Sequence, residues 1–136
     1  MTKDELLKEC WRVRHVLEKG AKQHILPDDW FYHFPAGQCL VTSETLAIWL
    51  PRNGPDDIFE IVSGWYNGKS HAWIEHNGLI IDITADQFPE ITQKVIVTEE
   101  SKFHDMFTED RKRRAIGKYS YNPSARKLLE FMCNNL

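Results

Sequence analysis

Residues 70–84 read SHAWIEHNGLIIDIT, and the placement of two side chains in that stretch decides how the chain is understood. Runs of β-branched and aromatic residues flank Asn77-Gly78, the dipeptide best suited to a two-residue hairpin turn because both positions accept positive φ. Such a turn pairs His76 with Leu79, and so sets Trp73 opposite Asp82 and His71 opposite Thr84. Side chains alternate along a strand. His71, Trp73, Glu75, Ile80, Asp82 and Thr84 therefore share one face, and Ala72, Ile74, His76, Leu79, Ile81 and Ile83 the other. The second set is nearly all apolar and belongs against the core; the first carries the chemistry. A slip of one residue would exchange the two. In this register His71 and Asp82 are diagonal neighbours, with Cα atoms roughly 7–8 Å apart, a gap that an imidazole and a carboxylate span. A carboxylate set between isoleucines is costly to bury unless paired, and His71 is its natural partner.

Working outward, Ile58 to Tyr66 reads as a preceding strand and residues 94–98 as a fourth. Upstream lies FPAGQCLVTSETLAIWL, residues 34–50, in which a Pro-Ala-Gly turn delivers Gln38 and Cys39 to an apolar helix over 39–50. Pro51 and the turn Asn53-Gly54-Pro55 stop that helix. Residues 25–38 form a loop whose Trp30, Phe31, Tyr32 and Phe34 demand that it be packed down. At the start, Leu6, Leu7, Cys10, Val13, Val16 and Leu17 recur at steps of three and four, predicting an amphipathic helix over 4–23 with Thr2 or Asp4 as its cap. Pro123 opens a last helix through Leu128, Leu129, Phe131 and Met132. Residues 109–114, EDRKRR, read as a solvated charged face, with a weak anion-binding patch as the sharper alternative. Helices first, then antiparallel strands, then a helix is the order of an α+β fold. The 136 residues suit a single domain over 1–136.

The composition excludes several classes. Hydrophobic residues make up 42% and charged residues 27%, a globular rather than a disordered balance. A formal net charge of −3 gives no generic affinity for nucleic acid. No apolar run reaches the ~18 residues of a membrane span, and the first residues, MTKDE, lack an apolar signal core. Cys10, Cys39 and Cys133 are odd in number, far apart and form no CxxC pair, which suits a reducing, cytoplasmic setting better than a disulfide framework.

A carboxylate beside an imidazole is the orienting half of a nucleophilic triad: it sets the ring tautomer and stabilises imidazolium, while the other ring nitrogen meets the nucleophile. Cys39 at a helix start supplies the nucleophile, since helix-end amides and a nearby imidazolium both favour thiolate. The same amides are candidate oxyanion donors, with the Gln38 side chain as a further one. Trp73, with Trp65 and Trp30, is a candidate wall of an apolar substrate cleft. Asp86 and Gln87 either cap a turn or line that cleft. Cys10 and Cys133 fall on apolar helix stripes and are assigned to the core. A zinc site drawn from His71, His76, Cys39, His33 and Asp82 is disfavoured, because positions 71 and 76 of one strand point to opposite faces. No metal or other cofactor is implied.

Taken in order, GQC opening a helix, then HAWIE, then GLIIDIT resembles the transglutaminase-like branch of the papain-like cysteine fold. In such proteins Cys, His and Asp occur in this chain order, on a helix start, a strand and the next strand. The resemblance runs from about Phe34 to Phe88, and SHAWIEHNGLIIDITADQFP is also similar to small bacterial proteins of this fold. It implies N-terminal helices packed on a small antiparallel sheet, Cys39 as nucleophile, His71 as general base and then acid, and Asp82 as the orienting residue. The oxyanion glutamine of papain-like enzymes precedes the cysteine by several residues, so the Cys39 amide is the safer donor than adjacent Gln38. No calcium-site loop is evident, which argues against protein cross-linking. The function expected is a cysteine-dependent hydrolase or acyltransferase working on an amide, isopeptide or thioester bond through an acyl-enzyme: a peptidase, amidase or glutamine deamidase with a peptide or protein substrate. The alternative is a non-catalytic binding module that keeps the fold, with the aromatic loop and the charged run as its surface.

Overall fold

The computed structural model describes residues 1–26, 29–53, 58–116 and 122–136, the side chains at 29, 30, 52 and 53 excepted. Helix α1 spans Lys3–Lys22, its Thr2 cap accepting from the Glu5 amide and its acidic first turn and basic last turn matching the helix dipole. After a 3₁₀ turn at Asp29–His33 comes α2, Cys39–Trp49. Strands β1 (Glu60–Tyr66), β2 (Lys69–His76) and β3 (Leu79–Asp82) follow as two hairpins. Each turns on Asn-Gly with positive φ at both residues, Asn67-Gly68 and Asn77-Gly78. A 3₁₀ turn at Ala85–Gln87, strand β4 (Ile96–Thr98), the one-turn helix α3 (Lys102–Asp105), strand β5 (Glu109–Ala115) and helix α4 (Pro123–Asn135) complete the order. The five strands form one antiparallel sheet, β4-β3-β2-β1-β5. The chain is thus α+β, with helices before and after a small antiparallel sheet in the chain order.

The hairpin register is the one read from the sequence: Ile74 faces Ile81, Glu75 faces Ile80, and His76 faces Leu79. Its apolar face joins Ile61, Ala72, Ile74, Ile81 and Ile83 to Leu6, Val13 and Leu17 of α1, Val41 and Leu46 of α2, and Leu128 and Met132 of α4 in the main core. Helix α2 runs through this core and is buried from Val41 to Trp49, the polar Thr42, Ser43, Glu44 and Thr45 included, so it shows no separate polar and apolar faces. The opposite face of the sheet is covered as well. Val62, Trp73 and Ile80 pack there with Phe88 and Phe107, and Phe103 leans against them, in a second, aromatic core.

Some expectations change. The run at 109–114 is exposed along its whole length, as a solvated face would be, but it is an edge strand, β5, held to β1 by the ladder and by Arg113 pairing with Glu60, while Arg113 also reaches across to Glu75 of β2. It lacks apolar alternation because neither face is buried. Cys133 is exposed on α4, one residue past Met132 on the stripe, whereas Cys10 is in the main core as expected. The aromatic loop is packed down through Phe31, which is buried. The turn Gly54-Pro55 and the Trp30 side chain lie outside the described residues.

Candidate active site

Cys39 is the first residue of α2, where amide N–H groups have no partner within the helix, and no acidic side chain stands in the first turn to neutralise them. Its thiol lies close enough to the His71 ring and the Ala72 amide for both to favour its ionised form. His71 arrives from β2. Its Nε2 donates to Asp82 Oδ2 at 2.7 Å, leaving Nδ1 for the thiol and for the Gln87 amide nitrogen, 3.3 Å away. Asp82, the last residue of β3, takes the Thr84 amide on Oδ1 at 2.8 Å and the Thr84 hydroxyl at 3.3 Å. The sheet pairing of β2 with β3 ends at Ile74 and Ile81, one step before Asp82, so the two strands part where the helix start reaches the ring.

The electrostatics follow from these contacts. Burial pushes the Cys39 thiol up, but the hydrogen bond and charge of His71, with the Ala72 amide, outweigh it and bring the thiol below its ordinary value. Cys10, equally thiol but without such partners, is pushed by burial up to about 12. Burial alone would lower His71; the charge and hydrogen bond of Asp82, then Cys39, raise it to about 9. Burial opposes ionisation of Asp82 too, yet His71 and His104 together hold its carboxyl well below the usual carboxylate range. The arrangement favours a thiolate beside an imidazolium backed by a carboxylate.

Around this chain the remaining predicted residues divide. Gln87 stands at the site: its Oε1 accepts the Gly37 amide at 3.2 Å and its Nε2 donates to the Thr84 carbonyl at 3.1 Å, so it joins the turn before Cys39 to the strand end after Asp82. Gln38 is buried at the helix cap and its side chain makes no capping bond. Trp73 does not wall a cleft. It is fully buried in the aromatic core, its indole N–H on Glu75 at 2.9 Å, and it supports the His71 ring from within at a centroid distance of 5.8 Å. Trp65 is half exposed on β1, next to Gly64, the strand partner of His71. His76, offered as a metal ligand, instead stacks on Phe59 and donates from Nδ1 to the Ile58 carbonyl at 2.8 Å.

Two features went unread. The first is Arg14, buried on α1, whose guanidinium grips both Asp86 oxygens at 2.6 and 2.7 Å, Glu18 at 2.6 Å and the Ile83 carbonyl at 2.7 Å. Asp86 is thereby the anchor of the turn that carries Gln87. An arginine on the apolar stripe of α1, one residue after Val13, was the available signal. The second is His104 on α3, whose Nε2 also lies 2.7 Å from Asp82 Oδ2. Ser101 caps α3, accepting from the His104 amide, and its hydroxyl sits 2.6 Å from His104 Nδ1. A serine three residues before a histidine, amid Phe103 and Phe107, was the trace of this in the sequence. The approach of this segment to the sheet requires Gly64, the β1 partner of His71, because a Cβ there would stand 2.3 Å from the Phe107 carbonyl oxygen.

Among the described residues, the group whose donor atoms converge as metal ligands would is His71, Asp82 and His104, all within 4.8 Å. Both ring nitrogens meet one carboxylate oxygen at hydrogen-bond distance, and an ionised carboxylate has no proton to give, so each nitrogen carries the proton and the group is a donor–acceptor chain. No described helix is long and apolar enough to cross a membrane. Compared with known proteins, the chain matches no family model, no curated protein and no solved structure.

Proposed function

We propose that this protein is a cysteine-dependent hydrolase or acyltransferase of the papain-like, transglutaminase-like kind, acting on an amide, isopeptide or thioester carbonyl of a peptide or protein through an acyl-enzyme. The observation that supports this reading is the His71 ring, hydrogen-bonded to Asp82 Oδ2 and sealed from solvent with it, standing beside the Cys39 thiol at the start of α2 and lowering its pKa. Thiolate attacks the carbonyl carbon, and the tetrahedral oxyanion turns toward the unpaired amides at the start of α2. His71 gives its Nδ1 proton to the leaving nitrogen or sulfur as the carbon–heteroatom bond breaks, leaving a thioester on Cys39. Water or a second nucleophile then gives a proton back to His71 while attacking the thioester, which restores the thiolate.

The test is alkylation of Cys39 by iodoacetamide in a Cys133→Ser background, which removes the exposed competitor. An ordinary thiol, with pKa roughly 8.5, is about 1% ionised at pH 6.5. Labelling at that pH is expected to be at least ~10-fold faster than in His71→Ala, and an activated ester is expected to leave an acyl adduct on Cys39 by mass spectrometry. Slow labelling indifferent to His71 would overturn the proposal and favour a binding module.

A further inference from the structure

Asp82 carries more donors than a triad requires. The Thr84 amide and hydroxyl occupy Oδ1, and two imidazole nitrogens share Oδ2, each at 2.7 Å. His104, the second of these, is fully buried and edge-on to Trp73 at a centroid distance of 4.8 Å. Its tautomer is set from behind. The Ser101 oxygen accepts the His104 backbone amide, and its hydroxyl proton is directed at Nδ1, 2.6 Å away, which leaves the ring proton on Nε2 facing Asp82. The short helix that bears it is tied to β5 by Arg111, whose Nη1 reaches the His104 and Phe107 carbonyls at 3.4 and 3.2 Å.

We propose that His104 is a positioning residue of the Cys39 site: held by Ser101, it fixes the Asp82 carboxylate and shares its charge, so that Asp82 steers His71 without trapping the proton that His71 must give up. The inference rests on the catalytic reading above. A buried carboxylate whose facing oxygen had His71 as its sole donor would draw the imidazolium proton more strongly; a second N–H on that oxygen weakens the pull while preserving the aim. The titratable groups facing His71 are Cys39 from α2, Asp82 from β3 and His104 from α3. Its other neighbours are neutral: Gln87, Trp73, Phe88, Phe103 and Phe107. Beyond these, the Arg111 guanidinium lies over the Trp73 ring, 5.1 Å from its centroid.

The experiment is the pH profile of Cys39 alkylation, from acid to pH 10, in Cys133→Ser protein. The thiol and imidazole titrate as a pair, and the upper step reports loss of the imidazolium proton. It is expected near 9 in the parent. His104→Phe, which keeps an aromatic and removes the donor, is expected to move that step upward by roughly half a unit or more, about threefold in proton affinity. His104→Gln, whose amide restores an N–H, is expected to return most of the shift, and Ser101→Ala to move the step the same way by less. An unmoved or lowered step in His104→Phe, or no difference between Phe and Gln, overturns the proposal. Should His104→Phe not fold, an unmoved step in Ser101→Ala overturns it. A parent protein whose labelling ignores His71 removes the catalytic reading itself, a result separable from any His104 outcome.

Discussion

Asp82 and His71 depend on pH in opposite directions. Asp82 is held below an unfolded value of about 3.9, so its contribution to stability is complete above that pH and is lost as the medium becomes more acid. His71 is raised to about 9. Its contribution is therefore complete below an unfolded value of about 6.5 and fades as pH rises from there through 9. In Cys39→Ser protein, where the thiol no longer titrates, unfolding free energy by urea titration is expected to be highest between about pH 4 and 6.5 and to decline on both sides. The alkaline decline should vanish in Cys39→Ser/His71→Ala, and a decline that persists there would assign it to another group. At this scale much was legible. His71 and Asp82 stood out because a hairpin turn fixes parity and parity decides which side chains meet, and Cys39 because a turn delivers it to the start of a helix. His104 and Ser101 did not, because a one-turn helix has no periodicity to read and their partner lies some twenty residues away in the chain.

The turn at Ala85–Gln87 has little apolar content of its own, and its place is set by α1. Arg14 closes on Asp86 with both terminal nitrogens while Glu18 takes its Nε, and Phe34 lies over the guanidinium at 4.9 Å. Removing one partner from a buried pair of this kind costs about 3–5 kcal/mol. Arg14→Ala is thus expected to lower the melting temperature by roughly 10 °C or more, measured by circular dichroism. Lys94→Ala, which breaks only the exposed link to Glu18, should change it by ~2 °C or less. Equal effects of the two would refute the anchoring role of Arg14. Elements were read well where an apolar face recurs, as in α1, α2, α4 and the β2–β3 hairpin. They were missed where packing is one-sided or absent: β5 has no buried face, and its membership in the sheet rests on backbone pairing with β1.

For the molecule as a whole, that outer strand closes one side of the sheet with charge. Asp110 takes a positive φ of 49° at the irregularity where the β1–β5 register shifts, which bends the edge out of a regular ladder. Lys112 is exposed beside it. Charge and a bulge on an edge both discourage pairing with another chain. Asp110→Thr/Lys112→Val should therefore associate more strongly than the parent in sedimentation velocity at rising concentration; equal behaviour would show that neither feature guards the edge. The α+β class was legible from element order, but the second core was not, since Phe88, Phe103 and Phe107 come from segments with no strand or long helix to align them. That aromatic layer has a kinetic consequence. It shuts the rear of the histidine and the carboxylate, so of these three residues Cys39 alone retains partial exposure to solvent. Under the acyl-enzyme chemistry proposed above, the first product would leave past Cys39 before the molecule that resolves the thioester approached it, and turnover would be ping-pong.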